Sequence, residues 1–191
     1  MWGQLVIDSL ARPRDAARRL LGLDIGWGPL AQLAVAVTCV GMVLGYAALQ
    51  LSGGGVDPMS AAVLEAPLLG ALTQLGVLVL VVLLTVRVGR ALGGTGGYWG
   101  AAVLVVWLNV MTLLIQVVQI GLLVVAPPLA GVLSIATLLW LLWAYANFVT
   151  ELHGFNSPFV ALGVTVLTVV ALVLGLTLIA AILGFSPSGA A

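Results

Sequence analysis

The chain has 191 residues, of which 63% are hydrophobic and 6% are charged, and its formal net charge at pH 7 is zero. Soluble globular domains contain about 45–50% apolar residues, so this composition and a mean hydropathy of +1.29 exclude an ordinary soluble domain. The zero net charge provides no basic surface of the kind that binds nucleic acid, and one histidine with one cysteine, Cys39, cannot build a metal cluster or an internal disulfide.

The N-terminal segment, residues 1–28, precedes the first long apolar run and holds four of the six arginines. Its stretch "ARPRDAARRLLGLD" predicts a short amphipathic helix in which Arg14, Arg18 and Arg19 face lipid headgroups. We expect this helix to lie in the cytoplasmic interface of the membrane. It serves either as a membrane-shaping or partner-docking element, or simply as an orientation signal carried on a surface helix.

Five apolar runs follow, and each is long enough to cross the hydrocarbon core, for which roughly 20 helical residues suffice. They cover about residues 29–50, 67–86, 98–126, 128–150 and 158–183. We expect the first run to be a retained span rather than a cleaved signal, a five-helix transmembrane domain over 29–184, and an external tail at 185–191. Because the runs are continuous and do not alternate, helices are favoured over barrel strands. The predicted fold class is an all-α membrane protein, a five-transmembrane-helix bundle preceded by a short cytoplasmic amphipathic helix.

The arginines predict the orientation of this bundle. With five crossings, the N-terminal segment and the loop after Arg87 and Arg90 lie on the same side, and every arginine is on that side. The positive-inside rule then predicts a cytoplasmic N-terminus and a periplasmic C-terminus. All six basic residues are arginine, a bias typical of GC-rich bacteria, so we expect a multi-pass protein of a bacterial inner membrane.

Polar side chains inside the spans are the first candidates for function. Asn109, Thr112, Gln116 and Gln119 are spaced to lie on one helix face, which must look into the protein because amides and hydroxyls are costly against lipid. One interpretation is hydrogen bonding between helices, with Gln32 and Gln74 as candidate partners. The alternative is a polar lining for a small solute or ion path, which usually also requires charge or helix breaks at the midplane.

Two further features of the spans leave alternatives open. Glu65 is either a solvated carboxylate near the outer end of the second span or an intramembrane carboxylate that faces the bundle. Gly41 and Gly45 form a GxxxG motif, which permits close helix packing within the chain or association between copies.

The stretch "ANFVTELHGFNSP" contains the single histidine, His153, and predicts a helix end followed by a helix start. Gly154 suits the left-handed position after a helix, and Phe155 can fold back as its hydrophobic contact. Glu151 is unfavourable at a helix C-terminus, so we expect it to pair with Arg87, Arg90 or an N-terminal arginine.

Catalytic signatures are missing from the sequence. It contains no HExxH, P-loop, CxxC or glycine-rich dinucleotide motif, and the predicted topology separates His153 from the serines of "LSGGG" and "SPSGAA". We therefore expect a protein that is not an enzyme and that uses no cofactor and no metal.

Three stretches together resemble the bacterial Yip family of membrane proteins. They are the lead-in "LARPRDAARRLLG", the glycine-rich loop "RALGGTGGYWGAA", and "LLWAYANFVTELHGFNSPFVAL" before the fifth span. The Asp-Leu-Tyr-Gly-Pro signature of eukaryotic members is missing from this sequence. In eukaryotes the family comprises five-helix proteins that partner Rab-type GTPases or one another and help to form vesicles.

What this resemblance implies for the chain is the five-helix architecture and a role in membrane organisation or in assembly of membrane-protein complexes. The expected partners are membrane lipid and other membrane proteins, including further copies of this chain. Two alternatives remain, which are a small transporter or channel built on the polar stripe, and an accessory subunit of a larger membrane complex.

Overall fold

The computed structural model describes residues 2–52 and 67–182, without the side chains of 158, 159 and 178–182. Glu65 and the tail at 185–191 lie outside the described residues, so the predictions about them stay predictions. The described residues form seven helices: α1 (Trp2–Ala11), α2 (Pro13–Leu21), α3 (Trp27–Ser52), α4 (Pro67–Ala91), α5 (Tyr98–Val125), α6 (Pro127–His153) and α7 (Pro158–Ile182).

The predicted fold class is confirmed, since α3 to α7 are five helices long and apolar enough to cross a membrane. The helices extend beyond some of the predicted runs, and α4 continues through Arg87 and Arg90 to Ala91. Hydropathy marks only the part of a helix that matches the hydrocarbon core, whereas backbone hydrogen bonding continues into the polar interface.

The N-terminal segment forms two helices where the sequence predicted one. Arg12 separates α1 from α2 with φ −140° and ψ 66°, because the residue before a proline is disfavoured in helical conformation. Pro13 then opens α2 at a position where its missing N–H costs nothing. The additional helix, α1, is mostly apolar and buries Leu5, Asp8 and Ser9.

Helix α5 is central, and it packs against α3, α4 and α6, while α7 packs against α4 and α6. Its buried residues come mainly from its first half, residues 100–108. Small side chains there allow neighbouring helices to come close. A Cβ atom at Gly100 would lie 2.8 Å from Leu152 Cδ1 and 2.9 Å from Leu21 Cδ2. Helices α2, α5 and α6 therefore meet at this glycine.

The GxxxG motif of α3 does not serve close packing between described helices. A Cβ atom at Gly41 would have nothing from the described residues within 4 Å, and one at Gly45 would meet only Gln116 Nε2 at 3.7 Å. The reason is that a cavity separates α3 from α4 and α5 at the level of Gly41. Association between copies remains a prediction for this motif.

The predicted helix end at Gly154 is confirmed. Gly154 has φ 67° and ψ 31°, which is the left-handed conformation, and the Phe155 N–H donates to Thr150 O at 3.1 Å. The Phe155 ring stacks on His153 with a centroid distance of 5.4 Å, so the aromatic side chain folds back over the last turn of α6.

Candidate functional site at the arginine end of the bundle

One end of the bundle collects all the arginines of the chain, and we call it the arginine end. It comprises the segment around α2, the end of α4 with the loop at 92–97, the start of α5 and the end of α6. Every arginine is exposed there: Arg12, Arg14, Arg18, Arg19, Arg87 and Arg90.

The central contact of the arginine end joins Arg18 on α2 to Glu151 on α6. Arg18 Nε donates to Glu151 Oε1 at 2.9 Å, and Arg18 Nη2 donates to Glu151 Oε2 at 3.2 Å. This two-bond geometry matches the planar guanidinium group to the carboxylate. The hydrogen bond from Arg18 to Glu151, and then their charge attraction, raise the pKa of Arg18. Arg18 therefore stays protonated in the pair.

Of the partners expected for Glu151, the structure selects an N-terminal arginine, Arg18, rather than Arg87 or Arg90. Arg87 Nε donates to the Tyr98 hydroxyl at 3.0 Å. Arg90 Nε donates to Gly96 O at 3.0 Å, and its guanidinium carbon lies 5.4 Å from the centre of the Tyr98 ring. Arg87 and Arg90 bind the start of α5 and its preceding loop, whereas α2 packs along α6 and places Arg18 next to Glu151.

The arginines predicted to face lipid headgroups are each bound to the protein as well. Arg14 Nε donates to Asn147 Oδ1 at 3.0 Å, and Arg19 pairs with Asp8 of α1. Helix α2 therefore lies against α6, and the predicted contact of these arginines with lipid headgroups stays a prediction. The guanidinium groups stay largely exposed, with 67% of the Arg18 side chain and 58% of the Arg19 side chain accessible.

Helix α1 is fixed to the bundle by polar groups that the sequence analysis did not single out. Asp8, which pairs with Arg19, also accepts a hydrogen bond from Gln4 Nε2 at 3.1 Å. Ser9 is fully buried and accepts a hydrogen bond from Trp107 Nε1 of α5 at 2.8 Å. The N-terminal segment is therefore part of the folded bundle.

His153 is buried at the arginine end, with 2% of the residue accessible. Its Nδ1 accepts a hydrogen bond from the Gly96 N–H at 3.0 Å, so the ring proton lies on Nε2 and is donated to Thr85 O at 3.2 Å. The imidazole thereby joins α6 to α4 and to the loop between α4 and α5. Both ring nitrogens are occupied by the protein backbone, which leaves neither to act on a substrate.

Glycines surround the imidazole so closely that a side chain at their positions would clash with the ring. A Cβ atom at Gly89 would lie 2.2 Å from Nε2, one at Gly94 would lie 2.4 Å from Nδ1, and one at Gly96 would lie 2.7 Å from Cε1. Real Cβ contacts are not that short, so any side chain at these positions displaces the ring. The glycine-rich loop "GGTGG" was visible in the sequence, but its relation to His153 requires the tertiary structure.

The polar stripe of α5 forms fewer contacts between helices than its spacing indicates. Asn109 Nδ2 donates to Val105 O at 2.9 Å, and Thr112 Oγ1 donates to Leu108 O at 2.9 Å, both within α5. Gln119 Nε2 reaches Ser134 and Thr137 of α6, each at 3.4 Å. Asn109 and Thr112 therefore each use a side-chain donor within α5 rather than toward a neighbouring helix.

Two cavities adjoin the stripe instead. The four-helix cavity, about 270 Å³, lies between α4, α5, α6 and α7, and the three-helix cavity, about 260 Å³, lies between α3, α4 and α5. Gln74, Asn109 and Thr112 line both cavities, and Gln116 lines the three-helix cavity. Of the two candidate partners, Gln74 shares both cavities with the stripe and Gln32 lines neither, although both residues are exposed.

Comparison with models of protein families shows to which family the chain belongs. The family model for the Yip1 domain matches residues 7–183. The chain belongs to the Yip1-domain family. No curated protein and no solved structure matches it.

The match places the arginine end, both cavities and all five spans of this Yip1-domain protein within the family region. Among the described residues, no group of three or more histidine, cysteine, aspartate or glutamate side chains could hold a metal ion. The chemistry that the arginine end does offer is exposed guanidinium groups, which bind phosphate and carboxylate oxygens.

Proposed function

We propose that this Yip1-domain protein organises the membrane without catalysis, by binding anionic lipid headgroups and neighbouring membrane proteins at its arginine end. The observation that carries the proposal is the gathering of six exposed arginines at one end of a folded bundle. Each arginine near an anionic leaflet contributes about 1 kcal/mol of attraction, and a fixed cluster adds these attractions in one place.

The described contacts support a preorganised surface. Arg14, Arg18 and Arg19 are each held by a protein partner through one side of the guanidinium group. The group has five N–H donors, so donors remain for a phosphate oxygen. A surface whose side chains are already ordered loses less conformational entropy when a ligand binds.

The proposal includes an orientation and a place. Because positively charged segments are retained on the cytoplasmic side, the arginine end faces the cytoplasm and its anionic lipids. The arginine-only basic composition supports a bacterial inner membrane. Expected partners are anionic phospholipid, other membrane proteins and further copies of this chain. The proteins are expected to gather in the same patch of anionic lipid.

The test uses the tagged full-length protein in giant vesicles of phosphatidylethanolamine with or without phosphatidylglycerol. Energy transfer is measured between two differently tagged copies in both vesicle types, and between the protein and labelled phosphatidylglycerol in the vesicles that contain this lipid. We expect transfer between copies to be higher with phosphatidylglycerol than without it, and both signals in those vesicles to fall with added salt. A random distribution of protein and lipid in both vesicle types would contradict the proposal.

A matched pair of variants assigns the effect to the arginine end. Arg12→Gln removes an exposed charge for which the described residues provide no hydrogen-bond partner, and Gln32→Ala alters an exposed residue on α3. We expect weaker enrichment of phosphatidylglycerol for Arg12→Gln and no change for Gln32→Ala. Equal enrichment in both variants would show that the guanidinium groups are not the lipid contact.

A second candidate function is passage of a small uncharged solute, favoured by the two cavities that share Gln74, Asn109 and Thr112. A stopped-flow measurement of glycerol entry into proteoliposomes tests it. Faster entry that is abolished by Asn109→Leu would support passage, and entry no faster than in protein-free liposomes would exclude it for this solute.

A further inference from the structure

The four-helix cavity has a composition that the arginine end does not explain. Nine of its fourteen lining residues are valine or leucine, and the other five are polar and uncharged: Gln74, Asn109, Thr112, Tyr145 and Thr168. An ionised ligand would have no counter-charge here and would lose its hydration at high cost. The lining therefore selects an uncharged ligand with a large apolar part.

Thr168 of α7 supplies the specific polar group. It is 2% accessible, it lines the cavity, and its Oγ1 has no hydrogen-bond partner among the described residues. Other threonines of the spans, such as Thr165, donate to the carbonyl one turn earlier on their own helix. A buried hydroxyl group without a partner costs about 1–3 kcal/mol, so Thr168 is a donor that a ligand can satisfy.

Tyr145 of α6 supplies the complementary acceptor. Thr85 Oγ1 donates to Val81 O, so the proton between Thr85 and Tyr145 belongs to Tyr145, and the Tyr145 hydroxyl oxygen keeps its lone pairs. Thr168 and Tyr145 both line the cavity, and Thr168 Oγ1 forms no hydrogen bond to the Tyr145 hydroxyl. A ligand hydroxyl between them accepts from Thr168 and donates to Tyr145.

The volume of the four-helix cavity and its opening limit the size of the ligand and its route of entry. A cavity of about 270 Å³ holds roughly nine heavy atoms, at about 30 Å³ for each group of the size of water. Leu142 and Val169 line the cavity and are also 40% and 39% accessible. The cavity therefore opens sideways toward the hydrocarbon that surrounds the bundle.

We propose that the four-helix cavity binds an uncharged amphiphile with one hydroxyl group, which enters from the bilayer and binds between Thr168 and Tyr145. The apolar part lies along the leucine and valine side chains and extends toward Leu142 and Val169. This chemistry is shared by a neutral lipid with a free hydroxyl and by a free medium-chain alcohol. The site is independent of the arginine end and of its lipid binding.

The experiment labels the full-length protein in nanodiscs with a diazirine derivative of octanol and locates the adducts by mass spectrometry. Octanol, octane and octanoate are the competitors, because they share a chain and differ only in the polar end. We expect adducts on α6 and α7 near Leu141 and Leu172, displaced by octanol and poorly displaced by octane or octanoate. Adducts spread along the outer faces, or equal displacement by all three, would overturn the proposal.

Variants of Thr168 test the hydroxyl contact without a large change in volume. Thr168→Val is expected to weaken displacement by octanol about five-fold, the fold-change that corresponds to one lost hydrogen bond. Thr168→Ser restores the hydroxyl and should restore displacement. Thr165→Val, one turn earlier on the same helix and outside the cavity lining, is the matched control. Equal displacement in Thr168→Val, Thr168→Ser and the original protein would overturn the assignment.

One further competitor, dioctanoylglycerol, distinguishes a neutral lipid from a free alcohol as the source of the ligand. Displacement at least as strong as that by octanol identifies a neutral lipid as the source. Displacement by octanol alone identifies a small free alcohol. Both results support the site, and failure of both compounds to displace the probe would overturn it.

Discussion

Arg18 and Glu151 lie 133 residues apart in the sequence and form a two-bond ion pair, and Arg14 and Asn147 form a hydrogen bond at the same separation of 133. Because both pairs advance by four residues on each helix, α2 runs in the same direction as the end of α6. A helix turn advances about 5.4 Å, so the two contacts bind consecutive turns of α2 to consecutive turns of α6. The N-terminal segment is therefore held in one register on the bundle.

The first prediction concerns this register. Glu151→Ala is expected to increase amide hydrogen exchange of α2 several-fold, because Arg18 loses its partner while the Ala16, Ala17 and Leu20 contacts remain. Glu151→Arg should have a larger effect through repulsion, and adding Arg18→Glu in the same chain should largely restore protection. Asp24→Ala is the control, since Asp24 is an exposed carboxylate outside α2. Unchanged exchange in Glu151→Arg would contradict the fixed register.

The second prediction concerns the glycines around His153. Gly89→Ala places a methyl group where the structure has His153 Nε2 at 2.2 Å, so we expect destabilisation of about 1–3 kcal/mol, the usual range for overpacking. Combining it with His153→Ala should cost less than the sum of the two single changes, because the ring is no longer displaced. Thermal unfolding in detergent measures the effect.

Gly97→Ala is the matched control for that prediction. It lies in the loop that follows α4, has nothing from the described residues within 4 Å of the added Cβ, and has φ −103°, which alanine adopts readily. We expect its midpoint of unfolding to stay close to that of the original protein. Equal loss of stability in Gly97→Ala and Gly89→Ala would refute the packing of glycines against His153.

The third prediction concerns the anchor of α1 on α5. Ser9→Ala removes the acceptor of the Trp107 N–H and leaves a buried donor unpaired, which costs about 1–3 kcal/mol. Trp107→Phe removes the donor as well, so the double variant should be less destabilised than the sum of the single changes. Ser52→Ala, whose exposed hydroxyl donates to Leu49 O of its own helix, should have little effect. Additive losses at Ser9 and Trp107 would contradict the hydrogen bond.

The sequence alone was sufficient for the five long helices, because a continuous apolar run of bilayer length has one stable solution in lipid. It was also sufficient for the turn at Gly154, since the left-handed conformation there requires glycine. Both features depend on local chemistry. Local chemistry also predicted Arg18 and Glu151 on the same side, and the structure places them at the same end of the bundle.

The partner of Glu151 was not determined by sequence, because the four N-terminal arginines share that end with Arg87 and Arg90 and only the docking of α2 on α6 selects Arg18. The same is true of Gly89, Gly94 and Gly96, whose close approach to His153 joins residues 57 to 64 positions away from it. The cavity was also invisible, since Thr168 of α7 and Tyr145 of α6 meet only after the helices pack. The polar stripe indicated which face of α5 looks inward, but not that its neighbours leave space there.

The fourth prediction concerns orientation and uses cysteine labelling in whole cells, in a Cys39→Ser background that removes the native thiol. Thr95→Cys introduces a thiol at an exposed position of the arginine end, and Val125→Cys introduces one at the end of α5, where the native side chain is 84% accessible. Since arginine-rich segments remain cytoplasmic, a membrane-impermeant maleimide should label Val125→Cys in intact cells. Thr95→Cys should react only after the cells are opened. Labelling of Thr95→Cys in intact cells, with Val125→Cys protected, would reverse the proposed topology and place the arginine end away from the cytoplasmic lipids.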